Sequence, residues 1–293
     1  MVEIRGRKNL HRLAKFHLAP WGVWSRPDRS PQKSLAPSGV AQPLFGATRP
    51  HKRHFAIWVG MFDNTNTPAE FTQELTDGIN AVIQLLRSMK IGSMKIAGPK
   101  SGSWYRNLVY VYTQVHIRRL LTFLDAGRAE FLAGRYLITD MCARAIYETV
   151  AVYCDFAAQL GPLLDADEVD KIEDFLRTRM FATRLPDFIA EDKSVSATNI
   201  LTQIDKMTKV SPTARKAYDH LSDIVHPNAL GSLVYFTTLN AEDGTMTFPD
   251  ETSSQERARD SFAASAVMLL HFHMALQELE PRLKKLSEGS PAP

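Results

Sequence analysis

Apolar residues recur at helical spacing along most of this chain, and this pattern constrains the fold more than any other feature. Between residues 67 and 285 the apolar positions are separated mainly by three or four residues, which predicts amphipathic helices. The segment after Asp140 shows it best, with Cys142, Ile146, Val150, Tyr153, Ala157 and Leu160 on one side of a helix. We therefore predict an all-α protein, a bundle of about six or seven helices with one short β-hairpin insertion.

Capping residues and prolines indicate where the first helices begin and end. Thr67-Pro68 is a typical helix start, and Gly92 is a typical helix end. A second helix is expected over 104–125, although the apolar run at 108–112 is also compatible with a β-strand. Asp140 is expected to cap the third helix.

The second half of the chain predicts further helices and the hairpin. Two apolar runs, 233–239 and 245–248, flank the turn-forming residues 240–244, which is typical of a β-hairpin. The other helices are expected over 165–180, 196–209 and 211–226, and from 254 onward with a bend at Pro281.

The first 60 residues differ from the rest in composition and charge. Residues 1–55 contain 11 Lys and Arg against two acidic residues, a net charge of +9, whereas the remaining 24 basic and 30 acidic residues give −6. This stretch carries six prolines and no sustained periodicity, so we predict a basic, disordered tail over 1–60 and a helical-bundle domain over 61–293. The break before Met61 leaves a second interpretation open, in which translation begins at Met61.

Cysteine and hydropathy patterns favour a cytoplasmic protein. Cys142 and Cys154 fall on one predicted helix, about 18 Å apart at ~1.5 Å per residue, which is too far for a disulfide. Free thiols suit a reducing compartment. The longest apolar run, 263–276, is shorter than the ~18 residues of a membrane span and predicts a buried core helix. We expect no signal peptide, no cofactor and no membrane span.

The segment 214–228 carries the most suggestive polar pattern. On a helical wheel Ala214, Tyr218, Leu221 and Val225 form the core face, and the flank beside it holds Arg215, Asp219, Ser222 and His226, with Asp223 slightly further round. Polar groups at the edge of an apolar face can be partly desolvated, which shifts pKa values and permits acid–base chemistry. The alternative is purely structural: an ordinary i,i+4 ion pair and a histidine favoured at a helix end.

An earlier helix supplies a second polar stripe, formed by Arg144, Glu148 and Asp155. It is either a solvated face or a set of contacts to another helix, in which Glu148 orients His226 and Arg144 holds an anion. The predicted site has His226, Arg144 and Glu148 as catalytic residues, and Ser222, Asp223, Asn228, Arg215 and Asp219 as ligand-binding residues. We predict no metal, because Asp223 and His226 form only one of the two carboxylate–histidine motifs that a di-iron bundle requires.

Residues 221–228, Leu-Ser-Asp-Ile-Val-His-Pro-Asn, resemble the helix ending of the HEPN superfamily. They are most similar to the Leu-Ser-x-x-x-His-Pro signature of uncharacterised bacterial HEPN-like proteins, in which an earlier helix carries the Arg…Glu pattern matched by Arg144 and Glu148. The resemblance implies a helical bundle, often dimeric, and in many members a metal-independent ribonuclease of defence systems. Those enzymes use an Arg and a His four to six residues apart. In this chain the residues that precede His226 with four to six residues in between, positions 219–221, are Asp, His and Leu, and none is an arginine. Arg215 and His220 have the required spacing, but they lie on different flanks of the helix.

Three functional hypotheses follow from these residues. In the first, the domain binds or cleaves RNA or a nucleotide in a defence or stress context, with His226 as acid or base and Arg144 holding a phosphate. In the second, it is a non-catalytic helical interaction module that forms a homodimer. In the third, the basic tail, in which Trp21 and Trp24 lie among the charges, binds RNA or a membrane surface.

Overall fold

Helices make up most of the computed structural model, which describes residues 61–62, 68, 71–95, 104–249 and 255–288. These residues belong to one compact unit, and the predicted tail over 1–60 lies outside them. Among them are seven α-helices of eight or more residues and two shorter ones: α1 Gln73–Ser88, α2 Trp104–Leu132, α3 Tyr136–Asp165, α4 Val169–Met180, α5 Pro186–Glu191, α6 Ile200–Met207, α7 Ala214–Val225, α8 Val234–Phe236 and α9 Gln255–Glu288. With its single β-hairpin, the structure confirms the predicted all-α bundle.

The helix α3 lies at the centre and packs against α9, α2, α6 and α7. Its apolar stripe, including Ile146, Val150 and Leu160, is fully buried, as the helical spacing predicts. Tyr153 of α3 packs against Phe272 of α9, with ring centroids 4.3 Å apart. This packing buries α3 on several sides, so the side chains that it carries determine most contacts between helices.

Two predicted boundaries of the first helices are wrong. The helix α1 begins at Gln73 rather than at Thr67-Pro68, because the Thr72 hydroxyl accepts a hydrogen bond from the Leu75 N–H at 3.2 Å and caps it. Helix α2 continues seven residues beyond the predicted end, to Leu132. The strand alternative for 108–112 is also wrong, because Leu108 and Tyr112 are buried together at helical spacing.

Asp140 does not cap α3, contrary to the prediction. The helix begins four residues earlier, at Tyr136, and Arg135 occupies the N-cap position. Asp140 is fully buried inside the helix, where its carboxylate accepts a hydrogen bond from the Tyr235 hydroxyl. A polar partner from a distant segment therefore allows an aspartate at a core position.

The hairpin is shorter than predicted. Its strands are β1 Thr238–Leu239 and β2 Met246–Thr247, paired antiparallel with Leu239 opposite Met246. The first part of the predicted strand 233–239 is helical instead: a π-helical turn spans Ala229–Leu233, and α8 follows it. Tyr235 is buried against Asp140, whereas Phe236 beside it is exposed.

The helix α9 is the core helix that the apolar run at 263–276 predicts. Within the described part of the chain, it alone has the length and apolar composition of a membrane-crossing helix. Half of its most apolar window is buried inside the protein, in contacts such as those of Leu269 and Phe272. Pro281 lies within α9, which continues beyond it to Glu288.

Candidate functional site

The helix α7 presents the predicted polar residues at one side of the bundle. Ala214, Tyr218 and Leu221 are buried as expected, but Ile224 rather than Val225 completes the core face. The helix ends at Val225, and His226 is the C-cap residue, whose N–H donates to the Ser222 carbonyl at 3.0 Å. His226 is exposed, so its ring is accessible to solvent at the end of α7.

The turn after His226 is fixed by backbone contacts. The Asn228 N–H donates to the His226 carbonyl at 2.8 Å, and the Asn228 side-chain oxygen accepts from the Gly231 N–H at 3.0 Å. A Cβ atom on Gly231 would lie 2.0 Å from the His226 carbonyl oxygen and 2.2 Å from that of Ile224. Asn228 was predicted to bind a ligand, and in this structure its side-chain oxygen holds the turn together.

Arg144 and Glu148 contact α7 through Tyr218. The Arg144 Nε lies 3.1 Å from Glu148 Oε1, and its Nη2 donates to the Tyr218 hydroxyl at 3.3 Å. The Tyr218 hydroxyl in turn donates to Glu148 Oε1 at 3.0 Å. The Arg144 guanidinium also lies over the Tyr218 ring, 5.5 Å from its centroid. The two helices are therefore joined by a closed network of a cation, a carboxylate and a phenol.

This network lies well away from His226. Tyr218 precedes the end of α7 by two turns, a distance of about 10 Å along the axis at ~1.5 Å per residue. The structure thus brings Arg144 and Glu148 together and joins them to α7, but through Tyr218 rather than through His226. A role for these residues in one reaction with His226 stays a prediction.

The remaining predicted ligand-binding residues divide into two groups. Arg215 lies 2.8 Å from Asp219 and 2.6 Å from Asp205, so this part of the flank forms an exposed ion-pair network. Ser222 and Asp223 are closer to His226, and Asp223 is exposed. The Ser222 hydroxyl is buried without a hydrogen-bond partner among the described residues.

Asp155, on the same stripe as Arg144 and Glu148, is a buried ion-pair centre. Its carboxylate lies 3.1 Å from Arg179 on α4 and 2.7 Å from Lys206 on α6, and only 2% of its side chain is exposed. The stripe is therefore not a solvated face: its residues contact other helices at both ends. For Arg144 and Glu148 the predicted alternative of contacts across helices describes the geometry.

Sequence reasoning missed a second buried network around Asp140. The Tyr235 hydroxyl donates to its carboxylate, and the Arg257 guanidinium lies over the Tyr235 ring at 4.5 Å. Burial raises the pKa of Asp140 above its ordinary value of 3.8, and the Tyr235 hydroxyl and the Arg257 charge oppose that shift. The available signal was the position of Asp140 on the core face, seven residues before Tyr147, where a carboxylate requires a partner.

Comparison of the chain with protein-family models, with curated proteins and with solved structures gives no match. The HEPN resemblance therefore depends on the residues of 221–228 and on Arg144 and Glu148 alone. Among the described residues no group of three His, Cys, Asp or Glu side chains is arranged to hold a metal ion.

Proposed function

We propose that the described domain is a non-catalytic helical interaction module that forms a homodimer through its β-hairpin. The observation that carries the proposal is the exposure of Leu239, Met246 and Phe248, at 60%, 45% and 75%. Leu239 and Met246 are directly opposite in the antiparallel pair, and Phe248 follows Met246 by two positions. All three side chains therefore lie on one face of the hairpin, a pattern typical of a protein–protein contact.

A second copy of this chain is the partner that fits the hairpin best. Both strands are two residues long and, within the described residues, each pairs only with the other, so each keeps an open edge. Such a ribbon is marginally stable alone, and adding the strands of a second copy at its open edge satisfies the backbone groups there.

Charge supports an antiparallel arrangement of the two copies. Glu242 and Asp243 make the hairpin turn acidic, whereas the face formed by Leu239, Met246 and Phe248 carries no charge. Across a two-fold axis, antiparallel strands place the two acidic turns at opposite ends of the shared sheet, where they repel each other least. The two apolar faces then lie next to each other on the same side of the shared sheet and form one continuous apolar surface.

Sedimentation velocity at micromolar concentrations tests the proposal. The wild-type protein is expected to be a dimer, and Phe248→Glu to weaken dimerisation at least about 100-fold because it places a charge in an apolar contact. Met274→Glu is the matched control, since Met274 is 55% exposed on α9 and is not part of the hairpin. A monomeric wild type, or equal dimerisation of Phe248→Glu and wild type, would contradict the proposal.

A second candidate function is the binding or cleavage of RNA or a nucleotide that the HEPN resemblance implies. The observation that favours it is the exposure of His226 at the end of α7, with the exposed Asp223 one turn before it. In this candidate His226 acts as the general acid or base, and Asp223 is a ligand-binding residue beside it. Arg144 is expected to bind a phosphate only if the ligand displaces Glu148 from it.

Metal-free cleavage of single-stranded RNA tests this candidate. Cleavage is expected to fall at least about 100-fold in His226→Ala, the usual contribution of a general acid or base. His220→Ala is the matched control, because His220 is also exposed on α7 but lies on another flank. Equal cleavage by wild type and His226→Ala would discard His226 as a catalytic residue.

A further inference from the structure

A cavity of about 410 Å³ lies between the segment after α1, helix α2 and the C-terminal half of α9. Its apolar walls are formed mainly by Met89, Ile91, Met94, Leu276, Leu279 and Leu283. Small-molecule sites typically enclose ~300–1,000 Å³ and are predominantly apolar. An apolar cavity of about 150 Å³ holds one benzene ring, so this cavity has room for a ligand of roughly two to three rings.

Two hydroxyl groups give this cavity a polar point. Thr113 Oγ1 and the Tyr153 hydroxyl are 2.9 Å apart, and both residues line the cavity. The pair has two hydroxyl protons but forms one hydrogen bond, and within the described part of the chain the second proton has no acceptor. A buried donor without an acceptor is unfavourable, so an oxygen atom of a ligand would be favoured beside it.

The Tyr153 hydroxyl is held in place by the packing of its ring. Tyr153 is fully buried, 4.3 Å from Phe272 and 5.8 Å from Phe156 between ring centroids. Its position is therefore set before any ligand binds and fixes that of the Thr113 hydroxyl, which lowers the entropic cost of a hydrogen bond from Thr113 to a ligand.

The charged residues of the cavity favour a ligand without net charge. Arg106 and Glu280 both line it and carry opposite charges, so neither sign dominates. The Arg106 Nε donates to the Tyr110 hydroxyl at 3.2 Å, which joins these two residues of the wall. A neutral ligand avoids the cost of bringing a charge into the apolar space.

We propose that this cavity binds a neutral, mostly apolar small molecule with one carbonyl oxygen, which accepts the Thr113 hydroxyl proton while the Tyr153 hydroxyl donates to Thr113 Oγ1. The methionines at its wall adapt to different ring shapes, whereas the hydroxyl pair fixes the position of the oxygen. The site is independent of the hairpin and of His226.

Binding of the fluorescent probe N-phenyl-1-naphthylamine to the full chain tests the cavity. One probe molecule per chain is expected to bind with a micromolar Kd, and Leu276→Trp is expected to weaken it at least about tenfold by filling the space. Leu201→Trp is the matched control, because Leu201 is 37% exposed on α6 and does not line the cavity. The absence of saturable binding, or equal binding by Leu276→Trp and wild type, would overturn the proposal.

A pair of isosteric competitors tests the hydroxyl pair. 2-Acetylnaphthalene and 2-isopropenylnaphthalene differ only by a carbonyl oxygen in place of a methylene group. In the double variant Thr113→Val/Tyr153→Phe, the ketone is expected to lose about fivefold in affinity relative to the alkene, the usual contribution of one hydrogen bond. Unchanged alkene binding shows that the variant cavity is intact. An unchanged ratio of the two affinities would overturn the role of the hydroxyl pair.

Discussion

Removing the Tyr235 hydroxyl should destabilise the protein, because that group donates to one oxygen of a carboxylate that is fully buried. Asp140 has no exposed surface, and the Tyr235 hydroxyl is its hydrogen-bond donor across 95 residues of sequence. Leaving a buried acceptor without its partner costs about 1–3 kcal/mol. Tyr235→Phe is therefore expected to lower the free energy of unfolding by that amount, equivalent to a Tm lower by about 2–12 °C.

Urea unfolding followed by circular dichroism measures this loss. The slope of the free energy of unfolding against urea concentration should be the same for the variant and the wild type. Tyr136→Phe is the matched control on α3: the Tyr136 hydroxyl has no hydrogen-bond partner among the described residues, and less than about 0.5 kcal/mol should be lost. If Tyr235→Phe changes the free energy of unfolding no more than this control, the network around Asp140 does not stabilise the fold.

The same network predicts a pH dependence with a defined sign. Burial raises the pKa of Asp140 above 3.8. Between pH 3.8 and the raised pKa, the folded protein therefore binds one more proton than the unfolded chain. Stability from this group is therefore fully present below 3.8 and falls as pH rises through the raised pKa. The free energy of unfolding of wild type relative to Asp140→Asn should decrease over this window. An increase would refute the assigned direction.

Three further substitutions test other parts of the structure by the same urea measurement. Gly231→Ala should cost about 1–3 kcal/mol because its Cβ meets backbone carbonyls, whereas Gly78→Ala, with open space around it in α1, should gain about 0.5–1 kcal/mol. Equal effects of the two would contradict the tight turn after His226. Asp155→Asn should cost about 3 kcal/mol by breaking two ion pairs of a buried carboxylate, and the exposed Asp205→Asn less than about 1 kcal/mol. His226→Ala should change stability by less than about 0.5 kcal/mol, since His226 is exposed, and a larger loss would indicate that it holds the end of α7.

The fold was largely predictable because apolar spacing reports burial directly. The stripe of α3 from Cys142 to Leu160 is buried, and α9 is the core helix expected from its apolar run. Helix starts were less predictable, because the local sequence does not distinguish an aspartate that caps a helix from a buried aspartate that is hydrogen-bonded to a distant tyrosine. Asp140 is the second kind, and its partner Tyr235 lies in a segment whose apolar run suggested a strand.

The candidate site was predictable only in part. The shared stripe of Arg144 and Glu148 was compatible with either a solvated face or contacts to another helix, and the structure has the contacts. Their partner is Tyr218, which the wheel assigned to the core face because its ring is apolar, although its hydroxyl reaches the edge of that face. Which residues of two helices contact each other depends on how far the helices are shifted along their axes. The spacing of residues within one helix gives no information about that shift.

Hydrogen–deuterium exchange at several protein concentrations is the most direct test of the proposed dimer, since it locates the contact as well as detecting it. Backbone amides of residues 237–248 should exchange more slowly as concentration rises, because strand pairing between copies protects their N–H groups. The exposed residues near Leu132 and Ile138 should show no such dependence. Exchange of the hairpin at one rate at all concentrations, in a protein that nevertheless dimerises, would contradict the account.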